Sequence, residues 1–161
     1  MNMETPIAQK TPAESFRAEC VDWIKQFEPT LFITFVFNRD VSPAEAQRRL
    51  EAFHMRLDRK LLGRAMLRKP DERSSYIATI ENPQTNIHIH GLFKMTERQR
   101  LIFGLVAREI WLELAPGGNL DIQAVTYVEG VAAYVTKALR PETSERLLLP
   151  CHLDGRASKN R

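Results

Sequence analysis

Asn86-Ile87-His88-Ile89-His90-Gly91-Leu92-Phe93 reads as a single β-strand. Side chains alternate faces along a strand, so His88 and His90 share one face while Ile87 and Ile89 occupy the other. Two imidazoles on one pleat stand roughly 6–7 Å apart along the chain, near enough to converge on one metal ion. The same pattern also describes a half-polar strand whose solvent face carries two histidines. Under either reading the isoleucines call for an apolar layer beneath the sheet.

Immediately upstream, Ser74 to Glu81 is a second strand, with Tyr76, Ala78 and Ile80 on one face and Ile77, Thr79 and Glu81 on the other. The turn Asn82-Pro83-Gln84-Thr85 joins the two into a hairpin. That hairpin places Glu81 near the His88 end, where its carboxylate would complete a metal site, although a bulge in the loop would turn it to the opposite face.

Further out, Leu31 to Phe37 is almost entirely β-branched or aromatic and reads as a central strand covered on both faces. Asp121 to Val128 alternates well enough for another strand. Four helices are predicted. Ser15 to Phe27 is the first. The second starts at Ser42-Pro43-Ala44-Glu45, buries Ala46, Leu50, Phe53, Leu57 and Leu61, and stops at Gly63. Thr96 opens the third, which runs to Leu114 and ends before Pro116-Gly117-Gly118. The fourth covers Gly130 to Leu139. The reading is an α+β fold, a central antiparallel sheet flanked by helices in a β-α-β-β-α-β-α order. Residues 1–14 are expected to form a loose arm, 15–149 a single domain, and 150–161 a polar tail.

The 161-residue chain is of single-domain length. No apolar run approaches the roughly 20 residues of a membrane helix, and the polar N-terminus lacks the apolar core of a signal peptide, so a cytoplasmic location is expected. Cys20 and Cys151 have no metal-like spacing and suggest no disulfide framework. The net charge of +3 hides a concentration of base. Between Ala44 and Lys69 stand Arg48, Arg49, Arg56, Arg59, Lys60, Arg64, Arg68 and Lys69 against Glu45, Glu51 and Asp58, a local excess larger than that of the whole chain. Such a stretch is either a phosphate-contacting surface or a solvated helix face. His54, beside the apolar stripe of the second helix, reads as a packed histidine.

Tyr134 and Lys137 are three residues apart and share a helical face, with Cβ atoms roughly 5–6 Å apart. On its own this spacing also fits a tyrosine packed on the sheet beside a lysine at a helix end. Taken in order, the aromatic strand Leu31-Phe32-Ile33-Thr34-Phe35-Val36-Phe37-Asn38, the His88-Ile89-His90-Gly91-Leu92 segment and Tyr134-Val135-Thr136-Lys137 resemble the three motifs of the HUH single-strand endonucleases. The likeness is to the rolling-circle replication initiators of plasmids, phages and small single-stranded DNA viruses, and spans about residues 31–140. With one tyrosine in the third motif, the chain resembles the single-tyrosine class. It is too short for the helicase or accessory domain that often follows in that family.

The resemblance implies that Tyr134 attacks a scissile phosphodiester of single-stranded DNA or a DNA hairpin at a replication origin, forming a covalent 5′-phosphotyrosine and freeing a 3′ hydroxyl. Lys137 would supply positive charge. His88, His90 and Glu81 would hold Mg²⁺ or Mn²⁺, and the host replication machinery would be a further partner. DNA over the histidine face would be bound by Arg48, Arg49, Arg56, Arg59, Lys60 and Thr34. Rival readings are a non-catalytic hairpin- or origin-binding module of the same fold, a metal-dependent nucleic-acid hydrolase with no covalent step, and an RNA-binding module with exposed aromatics on its sheet.

Overall fold

The computed structural model describes residues 9–150. Among these residues, four α-helices and five strands follow in the order α1 (Pro12–Phe27), β1 (Leu31–Val36), α2 (Pro43–Leu62), β2 (Ser75–Glu81), β3 (His88–Lys94), α3 (Glu97–Leu114), β4 (Asn119–Ala124), α4 (Val128–Val135) and β5 (Leu147–Leu148). The strands form one sheet in the order β4-β1-β3-β2-β5, antiparallel throughout. This is the α+β architecture expected from the strand and helix patterns.

Period-two alternation divides the sheet into two faces. One carries Leu31, Ile33 and Phe35 of β1, Tyr76, Ala78 and Ile80 of β2, and Ile89 and Phe93 of β3, and the buried stripes of α2 and α3 pack on it. Phe35 is fully buried there, its ring 5.0 Å from that of Trp111 and 5.1 Å from that of Phe53. The Trp111 indole N–H donates to the Val36 carbonyl at 3.1 Å, so the largest core side chain leaves no polar atom unpaired. Gly91 belongs to this face. A Cβ there would lie 2.9 Å from the Phe93 ring and 3.2 Å from that of Phe35, so the two rings close over the strand only because the side chain is missing.

On the other face, Ile77 and Leu92 pack with Ile24 of α1 and with Ala132 and Val135 of α4. These two helices cover only part of it. Phe32, Thr34 and Val36 of β1 stay half-buried on that side, and their β4 neighbours Gln123, Asp121 and Asn119 are exposed. β1 is therefore covered on one face and partly open on the other, where coverage of both was expected.

Boundaries differ from the sequence pattern where tertiary pairing decides them. α1 starts at Pro12 rather than Ser15 because Thr11 and Glu14 form a reciprocal capping box, drawing in residues expected to belong to an arm. β4 runs from 119 to 124 rather than from 121 to 128, since Leu31, the first residue of β1, already pairs with Ala124. α4 stops at Val135, leaving Lys137 in the following turn. α3 matches its predicted span. Apart from Pro150, the expected tail of 150–161 lies outside the described residues, as does Cys151.

The basic surface calls for a correction. Arg48, Arg49, Arg56, Arg59 and Lys60 all sit on α2, which packs on the face opposite His88 and His90, so none of them lines the histidine face. The cause is parity. The core face of β3 carries Ile89, and α2 buries Ala46, Leu50, Phe53 and Leu57 against that same side. Arg49 is bound to Glu45 at 2.6 Å and to the Leu114 carbonyl, and Arg56 to Glu113 at 2.7 Å. Neutralising Arg56 and Arg59 together is expected to leave single-stranded DNA affinity within about twofold and its salt dependence unaltered. A filter-binding salt series checks this.

Candidate functional site

The hairpin sets the site. Asn82 and Asn86 both take left-handed backbone angles, φ 52°, a conformation asparagine tolerates well. The turn between them brings Glu81 opposite His88 and Thr79 opposite His90, so all four side chains share one face. The carboxylate that sequence alone left on either face is on the histidine side.

Within that face Glu81 bridges two partners. Its Oε2 lies 2.6 Å from His90 Nε2 and its Oε1 is bound by the Lys137 ammonium. A carboxylate only accepts, so His90 carries its proton on Nε2 and donates it to Glu81. The other ring nitrogen, Nδ1, is 3.2 Å from Thr34 Oγ1 and accepts from that hydroxyl. Thr34, expected to bind DNA, instead has its hydroxyl engaged in holding an imidazole.

Tyr134 completes the group. Its ring lies 5.3 Å from that of His90 and 6.0 Å from that of Phe32, edge-on to both, and the Lys137 ammonium is 4.1 Å from its centre. Although Lys137 has left the helix, the tight turn at Thr136, with the Lys137 amide donating to the Tyr134 carbonyl, folds it back over the tyrosine. Tyr134 remains 44% exposed and open to a substrate. A shallow pocket beside it is lined by Thr79, Glu81, His90, Tyr134, Lys137 and Arg146. A larger cleft of about 690 Å³ opens at the other end of the sheet, near Thr30, Lys94 and Arg98, well away from these groups.

Burial holds the His90 imidazolium below its ordinary value of 6.5, with the Glu81 carboxylate only partly offsetting it. Burial pushes the Glu81 carboxyl upward, but hydrogen bonds from Lys137 and His90 outweigh it and hold the group below 4.5. The bond to Glu81 raises the Lys137 ammonium above 10.5. At neutral pH the trio is therefore a neutral imidazole, a carboxylate and an ammonium.

Both acid-range shifts weaken folding on acidification. Below 6.5 the unfolded chain binds a proton that folded His90 refuses. Below 4.5 the ion pairs of Glu81 are lost as the pH falls through its depressed value. We expect the urea midpoint to drop between about pH 7.5 and 5, and to drop less in His90→Asn, as measured by denaturation followed by circular dichroism.

A divalent ion suits the donor types: two imidazoles and a carboxylate on one face. Among the described residues, however, no three His, Cys, Asp or Glu side chains stand close enough together to hold one. Glu81 and His90 converge, while His88 lies one pleat further along β3 and is half-buried. For His90 to ligate through Nε2, its proton must move to Nδ1, with the Thr34 hydroxyl turning from donor to acceptor. A hydroxyl can do either.

Two residues of the site carried weaker signals. Phe32 could have been found by parity, since it shares a face with Thr34. Arg146 lies in a short 3₁₀ segment, Pro141–Arg146, and no sequence pattern pointed to it. Comparison of the chain with family models, with curated proteins and with solved structures finds no match. No helix among the described residues is long and apolar enough to cross a membrane.

Proposed function

We propose that the protein nicks and rejoins single-stranded DNA through a covalent bond to Tyr134, as the HUH replication initiators it resembles do. One observation carries this reading. Glu81, His90, Tyr134 and Lys137, drawn from β2, β3, α4 and the turn after it, meet in a single half-open group. A structural ion pair does not require an exposed tyrosine at its centre.

In the reaction, the Tyr134 phenol gives up its proton and its oxygen attacks phosphorus. The bond from phosphorus to the 3′ oxygen breaks and that oxygen is protonated, leaving the 5′ phosphate on the protein. A free phenol has a pKa near 10 and is a poor nucleophile at neutral pH. The Lys137 ammonium, 4.1 Å from its ring centre, supplies positive charge beside the nucleophile as the phosphate is attacked. Glu81 fixes that ammonium in place, and Thr34 with Glu81 fixes the His90 ring. Were Mg²⁺ or Mn²⁺ bound, the converging His90 and Glu81 would hold it, and it would supply Lewis-acid chemistry at a phosphate oxygen.

The test is incubation with a pool of labelled single-stranded oligonucleotides and Mn²⁺, followed by a denaturing protein gel. A label that travels with the protein, and is lost when EDTA is present, is the expected result. Nicked DNA with no adduct would instead identify a hydrolase. Salt-sensitive binding without cleavage would identify a recognition module.

A further inference from the structure

Tyr127 takes no part in the group around Glu81, yet it is 65% exposed, more than any other aromatic side chain among the described residues. It forms the N-cap of α4, seven residues before Tyr134. Seven residues are close to two helical turns, so the two tyrosines lie on the same flank of α4, about 10 Å apart along its axis. The opposite flank is occupied by α1, through the Lys25–Glu129 pair and the Arg17 bond to the Ala133 carbonyl. The tyrosine flank therefore looks across the uncovered part of the sheet, where Phe32 reaches Tyr134 and Gln123 is exposed beside Phe32.

The Tyr127 ring also lies against the helix backbone. It rests on Gly130, where a Cβ would lie 2.6 Å from Tyr127 Cδ1 and 2.9 Å from Cε1. Glycine at this position lets the ring lie against the helix backbone while most of the residue stays in solvent. An exposed aromatic ring with one face against the backbone loses less freedom on binding a planar partner than one solvated on both faces.

We infer that Tyr127 is a stacking platform for a nucleobase of the single-stranded DNA substrate, a short distance along the strand from the phosphate attacked by Tyr134. This rests on the proposed function and extends it to how the strand is held. The 10 Å between the tyrosines corresponds to at most about three nucleotide steps at 3.4 Å each. Stacking on an aromatic side chain is tolerant of sequence, so Tyr127 would add affinity without choosing the target.

The experiment measures fluorescence anisotropy of a labelled random-sequence 20-nucleotide single-stranded DNA pool, without divalent metal, for the wild type, Tyr127→Ala, Tyr127→Phe and Gly130→Ala. Tyr127→Ala is expected to raise Kd about tenfold with an unchanged slope against salt, because stacking releases no counterions. Tyr127→Phe should bind as the wild type does, and Gly130→Ala, which displaces the ring, should fall between. Unchanged affinity in Tyr127→Ala, with the Tyr134 adduct still forming, overturns the inference and leaves the proposed function standing. Equal losses in Tyr127→Phe and Tyr127→Ala overturn it too, since the hydroxyl would then matter more than the ring. A wild type that neither binds the pool nor forms an adduct overturns the proposed function, and the inference with it.

Discussion

Tyr134→Phe is expected to abolish the covalent DNA adduct while leaving the fold and the affinity for single-stranded DNA unchanged. The substitution removes one oxygen atom. The ring keeps its edge contacts with Phe32 and His90 and its place beneath the Lys137 ammonium, so the packing loss is small. What disappears is the nucleophile, and the neighbouring hydroxyls are poorly placed to replace it: Thr34 is tied to His90 and only half-exposed, and Thr79 is buried. The assay is the labelled-oligonucleotide gel, with circular dichroism as the check on folding. An adduct surviving in this variant would move the nucleophile to Tyr127. Tyr76 is excluded by position, being buried on the opposite face of the sheet.

The largest expected loss of stability is at Asp58. Its carboxylate is fully buried and serves several donors at once: the Ser74 amide at 3.0 Å, the Ser74 hydroxyl at 2.6 Å and Arg73 Nε at 2.7 Å. His54, one turn earlier on α2, lies 3.4 Å from the same carboxylate and 2.8 Å from the Ser74 carbonyl. This network joins α2 to the start of β2 across the 63–74 connection, which holds two short 3₁₀ turns. Asp58→Ala strands a buried amide, a buried hydroxyl and a largely buried guanidinium together. Breaking a buried pair in this way costs about 3–5 kcal/mol, a large part of the 5–15 kcal/mol that holds a typical domain folded. We expect Tm to fall by roughly 10 °C, measured by calorimetry. Asp58→Asn, which keeps one acceptor for Ser74, should lose less. A shift under about 2 °C in Asp58→Ala would show that the network contributes little.

The fold was legible because strand parity and helix caps are local. His88 and His90 share a face as the alternation required, and the Ser42 and Thr96 caps mark α2 and α3 where the sequence placed them. The site was legible in its residue types but only partly in its geometry. Glu81 joined it because two asparagines in a left-handed conformation set the hairpin register, a choice that depends on backbone angles rather than composition. The basic stretch on α2 misled because charge can be counted without knowing which side of a sheet a helix covers. Asp58 appeared as one acid among many bases, and only the tertiary structure shows it beneath Ser74 and Arg73.

The division of the sheet into two unlike faces bears on how this molecule can change. The group around Glu81 lies on one side of the sheet, and α2 and α3 pack on the other. Substitutions more than about 7–10 Å apart with no shared partner usually combine additively. Improvements to the α2–α3 layer should therefore add to changes around Tyr134 rather than interfere with them. The two halves of the domain can be optimised in separate libraries and recombined, with stability drawn from one side and substrate preference from the other.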